Sequence, residues 1–110
     1  MNWEVVYLPE AEKDLQDLDG RERILVQKAI RKVSTNPLPT VEGGYGKPLG
    51  NHASTKLAGL LKVKLKSAGI RIVYQLIRTE TQMLVVVIGA RADDEVYDTA
   101  QSRATKRHLL

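Results

Sequence analysis

The sequence predicts an α+β fold: a small, mostly antiparallel sheet with an N-terminal helical hairpin on one face and a C-terminal helix. Three observations carry this. Leu61-Lys62-Val63-Lys64-Leu65-Lys66 alternates strictly and is followed, after Ser67-Ala68-Gly69, by a second β-branched run. Two segments before residue 35 carry apolar residues at helical spacing. The run Met83-Leu84-Val85-Val86-Val87-Ile88 is strand-sized and unbroken. With 110 residues, one domain over 1–110 with one core is expected.

Taken in order, Trp3–Tyr7 reads as a short strand by its β-branched and aromatic content. Pro9 suits the first turn of a helix, where its missing N–H is no loss. Ala11, Leu15 and Leu18 follow at helical spacing until Asp19-Gly20 ends the element. A second helix spans about Arg21 to Ser34, with Leu25, Val26, Ala29, Ile30 and Val33 as its stripe and Asn36-Pro37 as its stop. Residues 37–55, rich in Pro, Gly and Asn, read as one long loop, a kind that is uncommon and often functional.

The hairpin follows. If Ala68-Gly69 is a two-residue turn, Lys66 lies opposite Arg71, Lys64 opposite Val73 and Lys62 opposite Gln75. That register puts Lys62, Lys64, Lys66 and Arg71 on one face. Leu61, Val63, Leu65, Ile72, Tyr74 and Leu76 share the other, under the helices. A turn at Arg78-Thr79-Glu80-Thr81 leads to the strand Met83–Ile88, buried on both faces. Asp93-Asp94-Glu95 opens the last helix and Arg103, Lys106 and Arg107 close it, in accord with the helix dipole.

Composition excludes several classes. There is no cysteine, hence no disulfide framework and no Cys-ligated zinc. No run approaches the ~18 apolar residues of a membrane span. The start, Met1-Asn2-Trp3-Glu4, lacks the layout of a secretory signal, so a cytoplasmic location is expected. The net charge of +4 is modest, but its distribution is uneven. Residues 43–79 hold Lys47, Lys56, Lys62, Lys64, Lys66, Arg71 and Arg78 with no acid, while both flanks are slightly acidic. Like charges opposed in a sheet cost about 0.2–1 kcal/mol per pair. A cluster of this kind favours a polyanion that relieves the repulsion.

Familiar catalytic sets are missing. His52 and His108 read as surface residues, no carboxylate pair falls in the basic stretch, and Gly43-Gly44-Tyr45-Gly46 does not open a helix. No metal or cofactor is expected. The run Lys62-Val63-Lys64-Leu65-Lys66-Ser67-Ala68-Gly69-Ile70-Arg71-Ile72-Val73-Tyr74-Gln75, with Gly89-Ala90-Arg91 and Glu95-Val96-Tyr97, resembles the RelE group of the RelE/ParE toxin superfamily. The resemblance covers nearly the whole chain. It implies a RelE-like fold and a type II toxin–antitoxin toxin that cleaves messenger RNA on the ribosome. The implied catalytic set falls on Lys62, Lys64, Arg71, Arg91 and Tyr97, all present. Lys47, Lys56 and Lys66 are expected to contact RNA or the ribosome. Two features depart from the family: Ala92-Asp93-Asp94 is acidic where some members are basic, and the 37–55 segment is longer than in the shortest members.

The implied chemistry is attack of an RNA 2′-hydroxyl on its own phosphodiester. It needs a base for that hydroxyl, stabilisation of the phosphorane and a proton for the 5′-oxygen. Lysine and arginine supply the electrostatic stabilisation, each preorganised donor contributing about 3–4 kcal/mol in comparable sites. Clustered cations disfavour one another's charged form, so either Lys62 or Lys64 qualifies as base. Lys64 and Arg71 would bind phosphate, Arg91 would assist the transition state or leaving group, and Tyr97 would stack on a base. The implied partners are an antitoxin and the ribosome with its message, including 16S ribosomal RNA; DNA is met only through the antitoxin complex, and no membrane is involved. Two other outcomes stay open: a gyrase-poisoning ParE-type toxin, or an RNA-binding inhibitor of translation that does not cut.

Overall fold

The computed structural model describes residues 2–49, 51–52, 55–56, 59–90 and 93–107. The element order is β1 (Glu4–Tyr7), α1 (Pro9–Asp17), α2 (Gly20–Val33), a 3-10 turn (Thr40–Glu42), β2 (Lys47–Pro48), β3 (Asn51–His52), β4 (Thr55–Lys56), β5 (Leu60–Leu65), β6 (Ile70–Ile77), β7 (Gln82–Gly89) and α3 (Asp93–Lys106). Five strands form one sheet in the order β1-β7-β6-β5-β2, antiparallel except that β1 runs parallel to β7. β3 and β4 form a separate pair. The α+β class expected from sequence is what the chain adopts.

Local chemistry explains the helical hairpin. Asp19 does not end α1; it caps α2, its Oδ1 accepting from Glu22 N at 2.8 Å. α1 stops at Asp17, and Arg23 supplies donors to the carbonyls it leaves, at Leu15 O, Gln16 O and Leu18 O. Val26, Ile30 and Val33 form the buried stripe of α2. Tyr74 lies beneath this layer, donating its hydroxyl to Pro37 O at 2.8 Å. Burial pushes that hydroxyl's pKa far above its ordinary value, so it remains a neutral donor. The hairpin therefore covers the sheet face that Tyr74 shares with Val5, Tyr7, Leu61, Ile72 and Val85.

Two sequence expectations are corrected. Residues 37–55 are not one structureless loop. They hold the 3-10 turn, the edge strand β2 and the strand β3. Pro48 is tolerated in β2 because an edge strand needs no donor on its outer side. The β5–β6 register also differs from expectation by two residues. Lys64 pairs with Arg71 and Lys62 with Val73, and the turn is Lys66–Gly69, closed by Ala68 N to Leu65 O with Gly69 at φ +65°. Lys66 is thus an exposed turn residue rather than a member of the strand. A shift of two preserves the pleat, so the faces are those expected.

β7 is buried on both faces: Met83, Val85, Val86, Val87 and Ile88 all belong to the core. A bulge near Val73 and Tyr74 leaves Val86 between the residues paired with them. Its carbonyl accepts from Arg103 of α3 at 3.0 Å. Arg103 also grips Asp14 of α1 at 2.6 and 3.2 Å, and Arg107 reaches Glu10 at 2.7 Å. Asp14 accepts a further bond from Ile88 N at 3.1 Å. These contacts fasten the C-terminal half of α3 against α1 and the sheet.

Candidate active site

The sheet face opposite the hairpin carries two rows of paired residues. Lys47, Lys62, Val73 and Val87 form one; Lys64, Arg71 and Gly89 form the next. At roughly 4.8 Å between strands and roughly 6.6 Å between same-face residues, the four cationic backbones fall within about 12 Å. β2 is what places Lys47 directly across from Lys62. The basic stretch of the sequence becomes a patch because alternation, the hairpin and this short edge strand all converge there.

α3 roofs part of this face. The helix comes close at Gly89, where a Cβ would stand in ordinary van der Waals contact, 3.4 Å from Val96 Cγ2. Tyr97 is then carried over Lys62. Lys62 Nζ donates to Tyr97 Oη at 2.7 Å and stands 5.0 Å from the ring centroid. Arg71 is half-buried, with Nη1 donating to Gly69 O at 3.3 Å; Lys47 and Lys64 are exposed. Lys62 is thereby fixed in position.

The expected stacking role of Tyr97 is not available in this arrangement. The residue is 2% exposed, and its ring packs with Val96, Ala100 and Ala104 in the core. Its hydroxyl, not its face, meets the cationic patch. The spacing 96, 97, 100, 104 is the helical stripe that signals burial in sequence. Arg91 lies outside the described residues. Lys56 lies in β4, paired with Asn51 and separate from the five-stranded sheet. His108 also lies outside the described residues. Sequence reasoning did not single out Asp14, because its partners Arg103 and Ile88 are remote in the chain. Among the described residues no group of three His, Cys, Asp or Glu side chains gathers into a metal-ligating cluster.

Chemically, the patch offers several N–H donors and positive charges to one anionic group, beside a recess at the β5–β6 turn lined by Lys64, Lys66, Gly69 and Arg71. Fold and site together define a class: a small α+β protein that concentrates cations on one sheet face. No family model matches the chain. A RelE-like toxin protein of Escherichia coli is 30% identical over 106 residues, which span 94% of this chain and 98% of that protein. The mRNA interferase toxin RelE of Escherichia coli (strain K12) is 40% identical over 53 residues, 46% of this chain and 56% of its own length. The isolated E. coli RelE toxin superposes with a TM-score of 0.66 at 27% identity, covering 97% of this chain and 99% of that one. In the toxin–antitoxin complex RelBE2 from Mycobacterium tuberculosis the fold recurs, with a TM-score of 0.67 at 24% identity over 84% of this chain and 95% of that chain. The chain belongs to the RelE-like toxin family.

Proposed function

We propose that this chain is the toxin of a type II toxin–antitoxin pair and cleaves messenger RNA on the ribosome without a metal ion. The observation that carries the reading is the joint placement of Lys47, Lys62, Lys64 and Arg71 on one sheet face, with the Tyr97 hydroxyl on Lys62. Four cations in so small an area supply the charge neutralisation that a phosphorane requires. The naming of a relative as an mRNA interferase supports the same substrate. Lys64 and Arg71, paired across β5 and β6, bind the scissile phosphate. Lys62 or Lys64 takes the 2′-hydroxyl proton, and Arg91 serves the developing charge or the leaving oxygen. Tyr97 holds Lys62 in place through its hydroxyl. Lys47 contacts a neighbouring phosphate; Lys56 and Lys66 contact ribosomal RNA.

The whole chain acts as one domain in the cytoplasm, silenced by an antitoxin whose acidic segment neutralises the basic face. Support for that partner comes from the toxin–antitoxin complexes that share the fold. Among the described residues no helix is long and apolar enough to cross a membrane. Primer extension on a translated message tests the function. Cuts within codons that require ribosomes, leaving a 2′,3′-cyclic phosphate or its hydrolysis product and a 5′-hydroxyl, are expected. Equal cutting of naked RNA overturns ribosome dependence. Translational arrest without cuts, or double-strand DNA damage, overturns the nuclease reading.

A further inference from the structure

We infer that Tyr74, on the face of the sheet away from the cations, is a positioning residue for RNA binding. Through the loop 36–46 it holds Lys47 where that lysine meets the phosphate beside the scissile one. The inference rests on the reading of the cationic face proposed above. It begins with a weakness in β2. That strand is only Lys47–Pro48, and its register sets Lys47 directly against Lys62 and Pro48 against Leu61. Like charges opposed across strands repel, and a proline brings no N–H to the pairing. Such a strand is not held by its own pairing, so its anchor must come from the flanks.

Both flanks supply one. After β2, Leu49 is buried and its N–H donates to Leu60 O at 3.2 Å. Before it, Gly46 is pressed against the hairpin side of the sheet, where a Cβ would stand 2.3 Å from Tyr74 Oη and 3.1 Å from Leu61 Cδ1. Gly46 N donates to Leu38 O at 3.0 Å, and its carbonyl accepts from Thr40 N at 2.8 Å. Tyr74 is fully buried and donates its hydroxyl to Pro37 O at 2.8 Å. One hydroxyl therefore stands against both ends of the loop: its root at Pro37 and its exit at Gly46, the residue before Lys47. Between these ends the loop closes on itself. Asn36 Nδ2 donates to Gly43 O at 3.2 Å, and Tyr45 N donates to Asn36 O at 3.1 Å. At the outer end Arg78 grips both carboxylate oxygens of Glu42, at 2.7 and 3.2 Å.

This arrangement couples the two faces of the sheet. Val73 lies in the row of Lys47 and Lys62, and the next residue of β6, Tyr74, points to the opposite side. The Tyr74 hydroxyl lies away from the RNA face, yet its loss reaches Lys47 through Pro37 and Gly46. Lys64 and Arg71 are spared, because they are placed by the pairing of β5 with β6 and not by the loop. At about 4.8 Å between strands and about 6.6 Å between same-face residues, the backbones of Lys47 and Arg71 lie roughly 12 Å apart. That offset suits the next phosphate of a strand whose scissile phosphate rests on Lys64 and Arg71.

The test measures binding of a single-stranded 2′-O-methyl RNA oligonucleotide, which lacks the attacking hydroxyl. Fluorescence anisotropy is read across a salt series, with a thermal melt for each full-length chain. Lys47→Ala removes one phosphate contact. At ~0.7 counterions per single-strand contact, its log–log slope should shrink by roughly 0.7 and its affinity should fall about 4-fold near 0.15 M salt. Tyr74→Phe removes only the hydroxyl and should reproduce at least half of both changes. In the Lys47→Ala chain it should add nothing, because the contact it disturbs is already gone. Asn36→Ala loosens the loop without touching the core and should move slope and affinity the same way by less. A folded Tyr74→Phe chain that binds like the parent, or that weakens binding equally with and without Lys47, overturns the inference in favour of a purely structural tyrosine. Where Tyr74→Phe does not fold, an Asn36→Ala chain that binds like the parent overturns it. So does a parent that binds no oligonucleotide, or an unchanged slope in Lys47→Ala. If binding responds as expected but the parent cuts no ribosome-bound message, the nuclease reading fails while the positioning of Lys47 stands.

Discussion

Lys62 and Tyr97 provide the most direct test of the site's construction. The bond between them is charge-assisted and 2.7 Å long, and the ammonium also stands 5.0 Å from the ring centroid. Hydrogen bonds to charged groups contribute roughly 1.5–3 kcal/mol; Lys62 is only half-buried, so water competition brings the expectation to about 1–1.5 kcal/mol. The ring contact, worth about 0.5–1 kcal/mol, survives Tyr97→Phe. That change should therefore cost about 1–1.5 kcal/mol, against about 3–5 kcal/mol for Tyr97→Ala, which empties a sealed position. Lys62→Met loses the same bond but relieves repulsion from Lys47 directly across β2, about 0.2–1 kcal/mol, so its single cost should be smaller. A urea-denaturation cycle over Lys62→Met and Tyr97→Phe should show coupling of about 1 kcal/mol. Coupling below about 0.3 kcal/mol, or a Tyr97→Phe cost equal to that of Tyr97→Ala, would refute the proposed positioning of Lys62.

Arg71→Ala should lower cleavage of ribosome-bound message by about 10²-fold in single-turnover assays, with the thermal melt nearly unchanged. Asp14→Ala strips an acceptor from Arg103 and from Ile88 N and should destabilise the fold by about 2–4 kcal/mol in denaturant, far more than a surface substitution. Glu10 gives a pH effect. Its carboxyl is held below the ordinary range, first by its own backbone amide at the helix start and then by Arg107. Its stabilising contribution is therefore complete above the unfolded value near ~4.3 and is lost as pH falls through the lower folded value. Melting temperatures of the parent chain and Glu10→Gln should differ near neutrality and converge in acid; a constant gap would contradict the assignment. Gly46→Ala would drive a methyl into Tyr74 Oη and Leu61, break the Tyr74–Pro37 bond, and should cost about 1–3 kcal/mol by the same denaturation measurement.

What could be read from sequence followed the range of the signal. Alternation in Leu61–Lys66 and in Ile70–Ile77 is local and redundant, and it assigned both faces correctly although the pairing was off by two residues. An even slip leaves every side chain on its side; an odd one would have sent the lysines under the helices. The two-residue strands β2, β3 and β4 have no period to detect, and Pro48 and the surrounding glycines argued against a strand. Their concealment also hid the contact between Lys47 and Lys62, which depends on pairing between β2 and β5. Asp19-Gly20 reads as a stop because Asp-Gly commonly ends a helix, yet the distance of three residues from Asp19 to Glu22 is equally a start. The parallel alliance of β1 with β7 joins residues some 78 apart in the chain, which no local pattern encodes.

The cationic face has a cost that the rest of the fold must offset. Lys47 against Lys62 and Lys64 against Arg71 are like-charge pairs in direct cross-strand positions. Yet the sheet beneath them is the most apolar part of the molecule, with Val73 and Val87 buried in the same row as the lysines. α3 resolves this by capping those valines with Val96, Tyr97 and Ala100 while lending Lys62 an oxygen acceptor. Its far end is fastened by Arg103 and Arg107 to the acids of α1. The acidic helix therefore stabilises the basic site at a distance: α1 anchors α3, α3 positions Tyr97, and Tyr97 holds one lysine of the four. The charge asymmetry between α1 and α2 follows in part from the same arrangement, since Glu10 and Asp14 of α1 face inward to α3 while Arg21, Lys28, Arg31 and Lys32 of α2 are exposed.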